Sequence, residues 1–112
     1  MSFAIGTGEN ANTYKSVVST TLNANLSAGW HMFTGTYDGF DTKIYIDGKL
    51  EGAKNAYTSK TPIYYNTTNS IFIGAEAGGS ATTPAGSYFK GKVSDTRIYG
   101  RALLAEEILE LY

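Results

Sequence analysis

The sequence predicts an all-β sandwich that ends in one short helix. Three observations support this fold class. The 112 residues include 13 glycines and nine tyrosines, and Gly favours turns while Tyr favours pleated strands. An Asp47-Gly48 pair separates two strand-like runs, which is the strongest short-range signal for a β-hairpin. The last eleven residues change from a period of two to helical spacing.

Strand-like runs follow one another along most of the chain. Residues 30–37 carry large apolar side chains on both faces at period two, which is typical of a central strand. In the last long strand-like run, the larger side chains change from odd-numbered to even-numbered positions, which predicts a bulge near Ser94-Asp95. The predicted strands are residues 3–7, 14–22, 30–37, 43–46, 62–65, 70–74 and 88–99. A further strand, the hairpin partner of 43–46, begins at residue 49.

The hairpin at Asp47-Gly48 has a defined register. A two-residue type I′ turn requires positive φ at both central residues, which Asp-Gly tolerates. The flanking residues then pair as Ile46 with Lys49, and as Tyr45 with Leu50, so Tyr45 and Leu50 share a face.

The closing segment, residues 102–112, predicts one helix. Leu104, Ile108 and Leu111 form a single stripe at helical spacing. Glu106 and Glu107 occupy the first turn, where the helix dipole favours negative charge. We expect this helix to lie against the edge of the sandwich.

Charge and composition disfavour several classes of partner. Nine Lys+Arg and ten Asp+Glu give a net charge of −1, which supplies no field that attracts nucleic acid or an anionic membrane. The chain has no cysteine, so it forms neither a disulfide nor a thiolate metal site. Its first residues do not form a signal peptide, and we expect a protein of the extracellular space, the cell surface or a virion.

Residues 30–39 and 44–50 carry a family resemblance. The first run begins Trp30-His31 and ends Tyr37-Asp38-Gly39, and the second contains the Asp-Gly hairpin. Together with residues 89–93, 97–103 and the closing helix, they resemble the laminin-G-like (LamG/pentraxin-like) signature. This resemblance implies the C-terminal part of a concanavalin A-like jelly roll, from the lectin/glucanase superfamily, as a single domain over residues 1–112.

Two departures from that family have consequences. Leu104 stands where the family usually has a Ser or Thr that caps the helix, which predicts a cap poorer by about 1 kcal/mol. The family's additional N-terminal strands have no counterpart before Phe3, which predicts a sandwich trimmed at its N-terminus. An open edge would follow. We expect a homo-oligomer or a neighbouring chain to cover it, unless this chain is an excerpt of a longer polypeptide or the fold is simply shortened.

Catalytic residues are not evident. Glucanases of this fold carry Glu-x-Asp-x-x-Glu on one strand, and no run here has that spacing. With one histidine and no cysteine, we expect neither a catalytic triad nor a zinc site, and no enzyme activity. His31 is expected to pack or to hydrogen-bond within the sheet.

Calcium is the candidate cofactor, because it is bound by carboxylate and carbonyl oxygens. Glu76 matches a pentraxin ligand position, but Gly78 stands where the family has Asp. Glu9 and Asn10 fall in the region of the other ligands.

Aromatic residues in loops and at strand ends are the candidate ligand-binding residues, because their faces stack on sugar rings. They are Phe40, Tyr57, Tyr64, Tyr65 and Tyr88. The sequence therefore predicts a non-catalytic recognition module that binds carbohydrate or a cell-surface protein. The alternative is a structural domain of a phage or virion fibre or tail protein.

Overall fold

A computed structural model describes residues 1–6, 14–21, 25–64, 72–77, 84–86 and 88–112. The chain divides into two compact units, Met1–Tyr64 with Tyr99–Tyr112, and Tyr65–Ile98. That residues 1–112 act as one domain stays a prediction.

The described elements are mostly strands, with one helix at the end. The strands are β1 (Ser2–Gly6), β2 (Tyr14–Val18), β3 (Phe33–Tyr37), β4 (Asp41–Ile46), β5 (Lys49–Asn55), β6 (Glu76–Ala77) and β7 (Pro84–Gly86), and the helix is α1 (Ala105–Leu111). All pairings between described strands are antiparallel, in the orders β1-β2, β3-β4-β5 and β6-β7.

The predicted hairpin at Asp47-Gly48 is confirmed. Both residues have positive φ, 52° and 75°, as a type I′ turn requires. Ile46 pairs with Lys49, and Tyr45 pairs with Leu50. The register then shifts by one residue, so that Ile44 faces Gly52 and Glu51 is left without a partner across the ladder. This is a β-bulge.

One face of the three-stranded sheet receives the β1-β2 hairpin. Gly35, Ile44 and Gly52 are aligned across the three strands, and residues that pair directly share a face. A Cβ at Gly35 would overlap the ring of Phe3, and one at Gly52 would lie 3.1 Å from a methyl group of Val17. The two glycines therefore let the hairpin pack closely on either side of the buried Ile44.

A cluster of buried residues joins the sheet to the C-terminal segment. Tyr45, Leu103 and Ile108 are buried together, and Met32 packs against them. Ile108 is completely buried, and full burial of an isoleucine side chain contributes about 1.5–3 kcal/mol. The predicted helix is confirmed, and it docks through its Ile108 face.

The start of α1 has half of a capping box. Leu104 has the extended backbone of an N-cap residue, but its side chain makes no capping hydrogen bond. Its backbone N–H donates to Glu107 Oε2 at 2.8 Å. Arg101 donates to both carboxylate oxygens of Glu107, at 2.7 and 2.6 Å. The bond from the backbone to Glu107 is therefore present, and the helix lacks only the bond that a polar side chain at position 104 would accept.

Several predicted strands differ from the structure. β3 pairs only with β4 among the described strands, so the central strand is β4. Residues 62–64 form no strand, and Pro62 has no N–H for a ladder. Residues 88–99 are not assigned to a strand or a bulge; Asp95 has a φ of 53°, which interrupts an extended run. Of the predicted strand 70–74, residues 70 and 71 lie outside the described part, and 72–74 are not strand.

Candidate functional site

The turn between β3 and β4 presents an aromatic ring to solvent. Asp38 Oδ1 accepts hydrogen bonds from the backbone N–H groups of Phe40 and Asp41, at 2.9 and 2.8 Å. These bonds stabilise the carboxylate and lower the pKa of Asp38, most strongly through Asp41. Gly39 has a φ of 101°, which suits glycine. The turn is therefore firmly held while the Phe40 side chain is 40% exposed.

The segment after β5 folds over this turn. The backbone N–H groups of Ala56 and Tyr57 both donate to the Phe40 carbonyl oxygen, at 2.8 and 3.1 Å. Thr61 N–H donates to the Gly39 carbonyl oxygen at 2.9 Å. These three bonds place Tyr57 next to the Phe40 turn.

Two further aromatic contacts support Tyr57. The rings of Tyr37 and Tyr57 meet edge to face with centroids 6.4 Å apart, a favourable arrangement for two aromatic rings. Lys15 Nζ lies 5.7 Å from the Tyr57 ring centroid, within cation–π range. The Tyr37 hydroxyl donates to the Thr61 carbonyl oxygen at 2.6 Å, and burial raises the pKa of Tyr37.

Tyr64 lies at the same end of this unit. Its N–H donates to the carbonyl oxygen of Gly6, the last residue of β1, at 3.1 Å. Lys15, which contacts Tyr57, pairs with Ile5 immediately before Gly6. Tyr64 is 42% exposed. Phe40, Tyr57 and Tyr64 thus lie at one end of this unit, which we call the aromatic end.

Polar groups border the aromatic end, and sequence reasoning did not select them. Asn55 Nδ2 donates to Asp41 Oδ1 at 3.0 Å, in an exposed pair at the ends of two paired strands. Asp38 and Lys15 add one charge of each sign. The hairpin register could have suggested that Asn55 and Asp41 lie near each other. The bulge at Glu51 displaces that register by one residue, however, so counting from the turn does not pair them.

The other predicted ligand-binding and metal-binding residues are not brought together. Tyr88 is exposed in the second unit, and Tyr65 lies outside the described residues. Glu76 begins β6, whereas Glu9 and Asn10 lie outside the described part. Within the described ranges, no group of three His, Cys, Asp or Glu could hold a metal ion. Calcium binding stays a prediction.

His31 forms hydrogen bonds, as expected. The presence of a single histidine does not in itself exclude a catalytic triad. One histidine is enough for a triad, and His31 contacts both Asp47, with Nδ1 2.7 Å from Oδ2, and Ser27. The Ser27 hydroxyl oxygen is 3.4 Å from Nε2, however, while the Ser27 carbonyl oxygen is only 2.9 Å away. When Nε2 carries a proton it donates to this carbonyl oxygen, and in that state it cannot take a proton from the hydroxyl.

Comparison with known proteins assigns the chain to a family. Among solved structures, it is similar to residues 221–444 of an S-layer domain-containing protein from Clostridium thermocellum ATCC 27405, with 28% identity and a TM-score of 0.63. That match covers 98% of this chain and 50% of the other, so the chain spans about half of that length. No curated protein matches. The family profile Laminin_G_3, of the concanavalin A-like lectin/glucanases superfamily, matches residues 1–109. The chain is therefore a laminin-G-like member of the concanavalin A-like lectin/glucanase superfamily, with the β-sandwich and short C-terminal helix of that fold.

Proposed function

We propose that this chain is a non-catalytic recognition module whose aromatic end binds carbohydrate. The observation that carries the proposal is the gathering of three of the predicted aromatic residues, Phe40, Tyr57 and Tyr64, at one end of the first unit. Backbone hydrogen bonds hold the segments that bear them.

The chemistry of this surface suits a sugar. Apolar ring faces cover the C–H face of a pyranose, while nearby polar groups bind its hydroxyls. Phe40 and Tyr64 supply exposed aromatic surface. The Asn55–Asp41 pair supplies an amide donor and a carboxylate acceptor on the exposed surface. A neutral or weakly charged glycan matches this mixture, because the carboxylates of Asp38 and Asp41 are offset by Lys15 and by Lys60, whose side chain lies against Gly39.

The family and the similar structure agree with this role. Laminin-G-like domains are typically non-catalytic binding modules. An S-layer domain-containing protein is among the structures that this chain is similar to, which supports an extracellular or surface location. No helix in the described ranges is long and apolar enough to cross a membrane.

A glycan array followed by titration of the best ligand tests the proposal. We expect Phe40→Ala and Tyr64→Ala each to weaken binding by about two- to twelvefold, because an aromatic contact is worth about 0.5–1.5 kcal/mol. Tyr112→Ala is the matched control, because Tyr112 is an exposed tyrosine beside the β4-β5 turn, at the other end of the same sheet. It should leave affinity within about twofold. An array without binding, or equal losses in Tyr64→Ala and Tyr112→Ala, would contradict the proposal.

A second candidate is a structural role, in which the domain packs against other chains in a fibre, virion or surface assembly. The second unit favours it, because Tyr88, Phe89, Val93 and Ile98 are all more than half exposed, and exposed apolar groups of this kind mark interaction surfaces. Light scattering after size-exclusion chromatography distinguishes the two roles. A stable trimer or larger species supports assembly, and a monomer over a range of concentrations contradicts it.

A further inference from the structure

His31 links two segments that are distant in sequence, at the end of the sheet opposite the aromatic end. Its Nδ1 lies 2.7 Å from Asp47 Oδ2, in the β4-β5 turn. Its Nε2 lies 2.9 Å from the Ser27 carbonyl oxygen. Both partners are acceptors only. The ring satisfies both of them only when both nitrogens carry a proton, that is, as imidazolium.

The neutral ring must lose one of the two bonds. If Nδ1 keeps its proton, the Nε2 lone pair faces the Ser27 carbonyl oxygen at 2.9 Å, while the Ser27 hydroxyl, which could donate to it, is farther away at 3.4 Å. If Nε2 keeps its proton, the Nδ1 lone pair faces the Asp47 carboxylate, which is the less favourable arrangement. We propose that His31 is a pH-sensitive clamp: its protonated ring ties Ser27 to the β4-β5 turn, and deprotonation releases the loop between Ser27 and His31.

The turn side of the clamp is rigid, so the loop is the part that responds. Asp47 Oδ1 accepts the Met32 N–H at 2.9 Å, and the Asp47 N–H donates to the Met32 carbonyl oxygen at 2.9 Å. These bonds do not involve the ring of His31. Between Ser27 and Met32, Gly29 has a φ of 136°, and Trp30 is 67% exposed. Loss of the Ser27 bond therefore frees the part of the loop that carries Trp30.

The surrounding charges define the pH window. Hydrogen bonds to Ser27 and then to Asp47 raise the pKa of His31, and Asp47 also acts through its charge. The Asp47 pKa is lowered: desolvation opposes the shift, but the bonds from His31 and Met32 and the charges of His31 and Lys49 outweigh it.

The helix that packs on the same turn carries Glu106, Glu107 and Glu110, and Glu107 is engaged by Arg101. A raised histidine pKa stabilises the fold fully below the unfolded value of 6.5, and this stabilisation is lost as pH rises through the folded pKa. The clamp is therefore closed below pH 6.5 and opens as the pH rises through the raised pKa of His31.

The sequence provides its own reporters, because it contains one histidine and one tryptophan. The His31 ring proton can be followed by NMR from pH 4.5 to 9, and the order of the loop by ¹⁵N relaxation at Gly29 and the Trp30 indole. We expect the His31 midpoint to lie above 6.5, and the loop order to fall with the same midpoint. Asp47→Asn should lower both midpoints together, and it preserves the turn because Asn favours this position.

Two variants complete the test. Asp38→Asn is the matched control, since it removes the same charge from a turn that does not contact His31, and both midpoints should stay unchanged. In His31→Gln the loop order should no longer depend on pH. Loop order that stays constant across the His31 midpoint would overturn the proposal, as would equal shifts in Asp38→Asn and Asp47→Asn.

Discussion

Leu104 can be tested as a defective helix cap by replacing it with serine. Its backbone already has the extended conformation of an N-cap, with φ −73° and ψ 160°. A serine hydroxyl there would accept the N–H of Glu107, three residues on, and complete the capping box. A Ser or Thr cap is worth about 1 kcal/mol relative to alanine.

The net change has to include the leucine that is lost. Leu104 is 58% exposed, so about two fifths of its side chain is buried, and this contributes roughly 1 kcal/mol. The two effects nearly offset one another. We expect Leu104→Ser to match wild type within about 0.5 kcal/mol, whereas Leu104→Ala, which loses the same apolar contact without gaining a cap, falls about 1 kcal/mol below it.

Urea unfolding measures the difference between the two variants. With a slope of about 2 kcal/mol per M, the midpoint of Leu104→Ser should exceed that of Leu104→Ala by about 0.5 M. Equal midpoints would refute the reasoning, because they would mean that Arg101 and Glu107 already satisfy the start of the helix.

Two further predictions concern the same unit. Gly48→Ala should destabilise the fold by about 2 kcal/mol in urea unfolding, because Gly48 has a φ of 75° and its Cβ would lie 2.9 Å from Leu109 Cδ1; Gly6→Ala, with no atom within 4 Å, should cost less than about 0.5 kcal/mol, and equal losses would contradict the steric argument. The hydrogen bonds from Arg101 and then Leu104 lower the pKa of Glu107 from 4.5 to about 2, so its stabilisation is present above pH 4.5 and lost as the pH falls towards 2. The melting temperature of Glu107→Gln should therefore decline less than that of wild type over this range. Parallel declines would mean that protonation of Glu107 does not cause the loss of stability.

Local patterns predicted the parts of the fold that depend on local chemistry. The Asp47-Gly48 turn and its first two pairs follow from the conformational demands of a type I′ turn. The helical spacing of the last residues placed the helix, but of the predicted stripe only Ile108 is buried, while Leu104 and Leu111 are exposed. Neither result requires knowledge of what lies elsewhere in the chain.

The bulge shows why the rest was not predictable. Counting from the turn pairs Ile44 with Glu51, but in the structure Ile44 faces Gly52. Glu51 Oε2 instead accepts hydrogen bonds from the hydroxyls of Thr20 and Thr21, at 2.8 and 2.6 Å. The bulge therefore joins β5 to the end of a hairpin that is distant in sequence, and periodicity contains no information on such a contact.

The same distinction applies to the candidate site. The sequence identified Phe40, Tyr57 and Tyr64 one by one, as aromatic residues in predicted loops or at predicted strand ends. Their grouping depends on non-local hydrogen bonds, of which the contacts of Phe40 with the segment after β5 are the clearest. These bonds involve backbone atoms, so they hold the loops in place without using the aromatic side chains. A ligand would then meet aromatic side chains on loops that are already ordered, which lowers the conformational entropy cost of binding. The aromatic end is for this reason the part of the first unit where binding should be sought first.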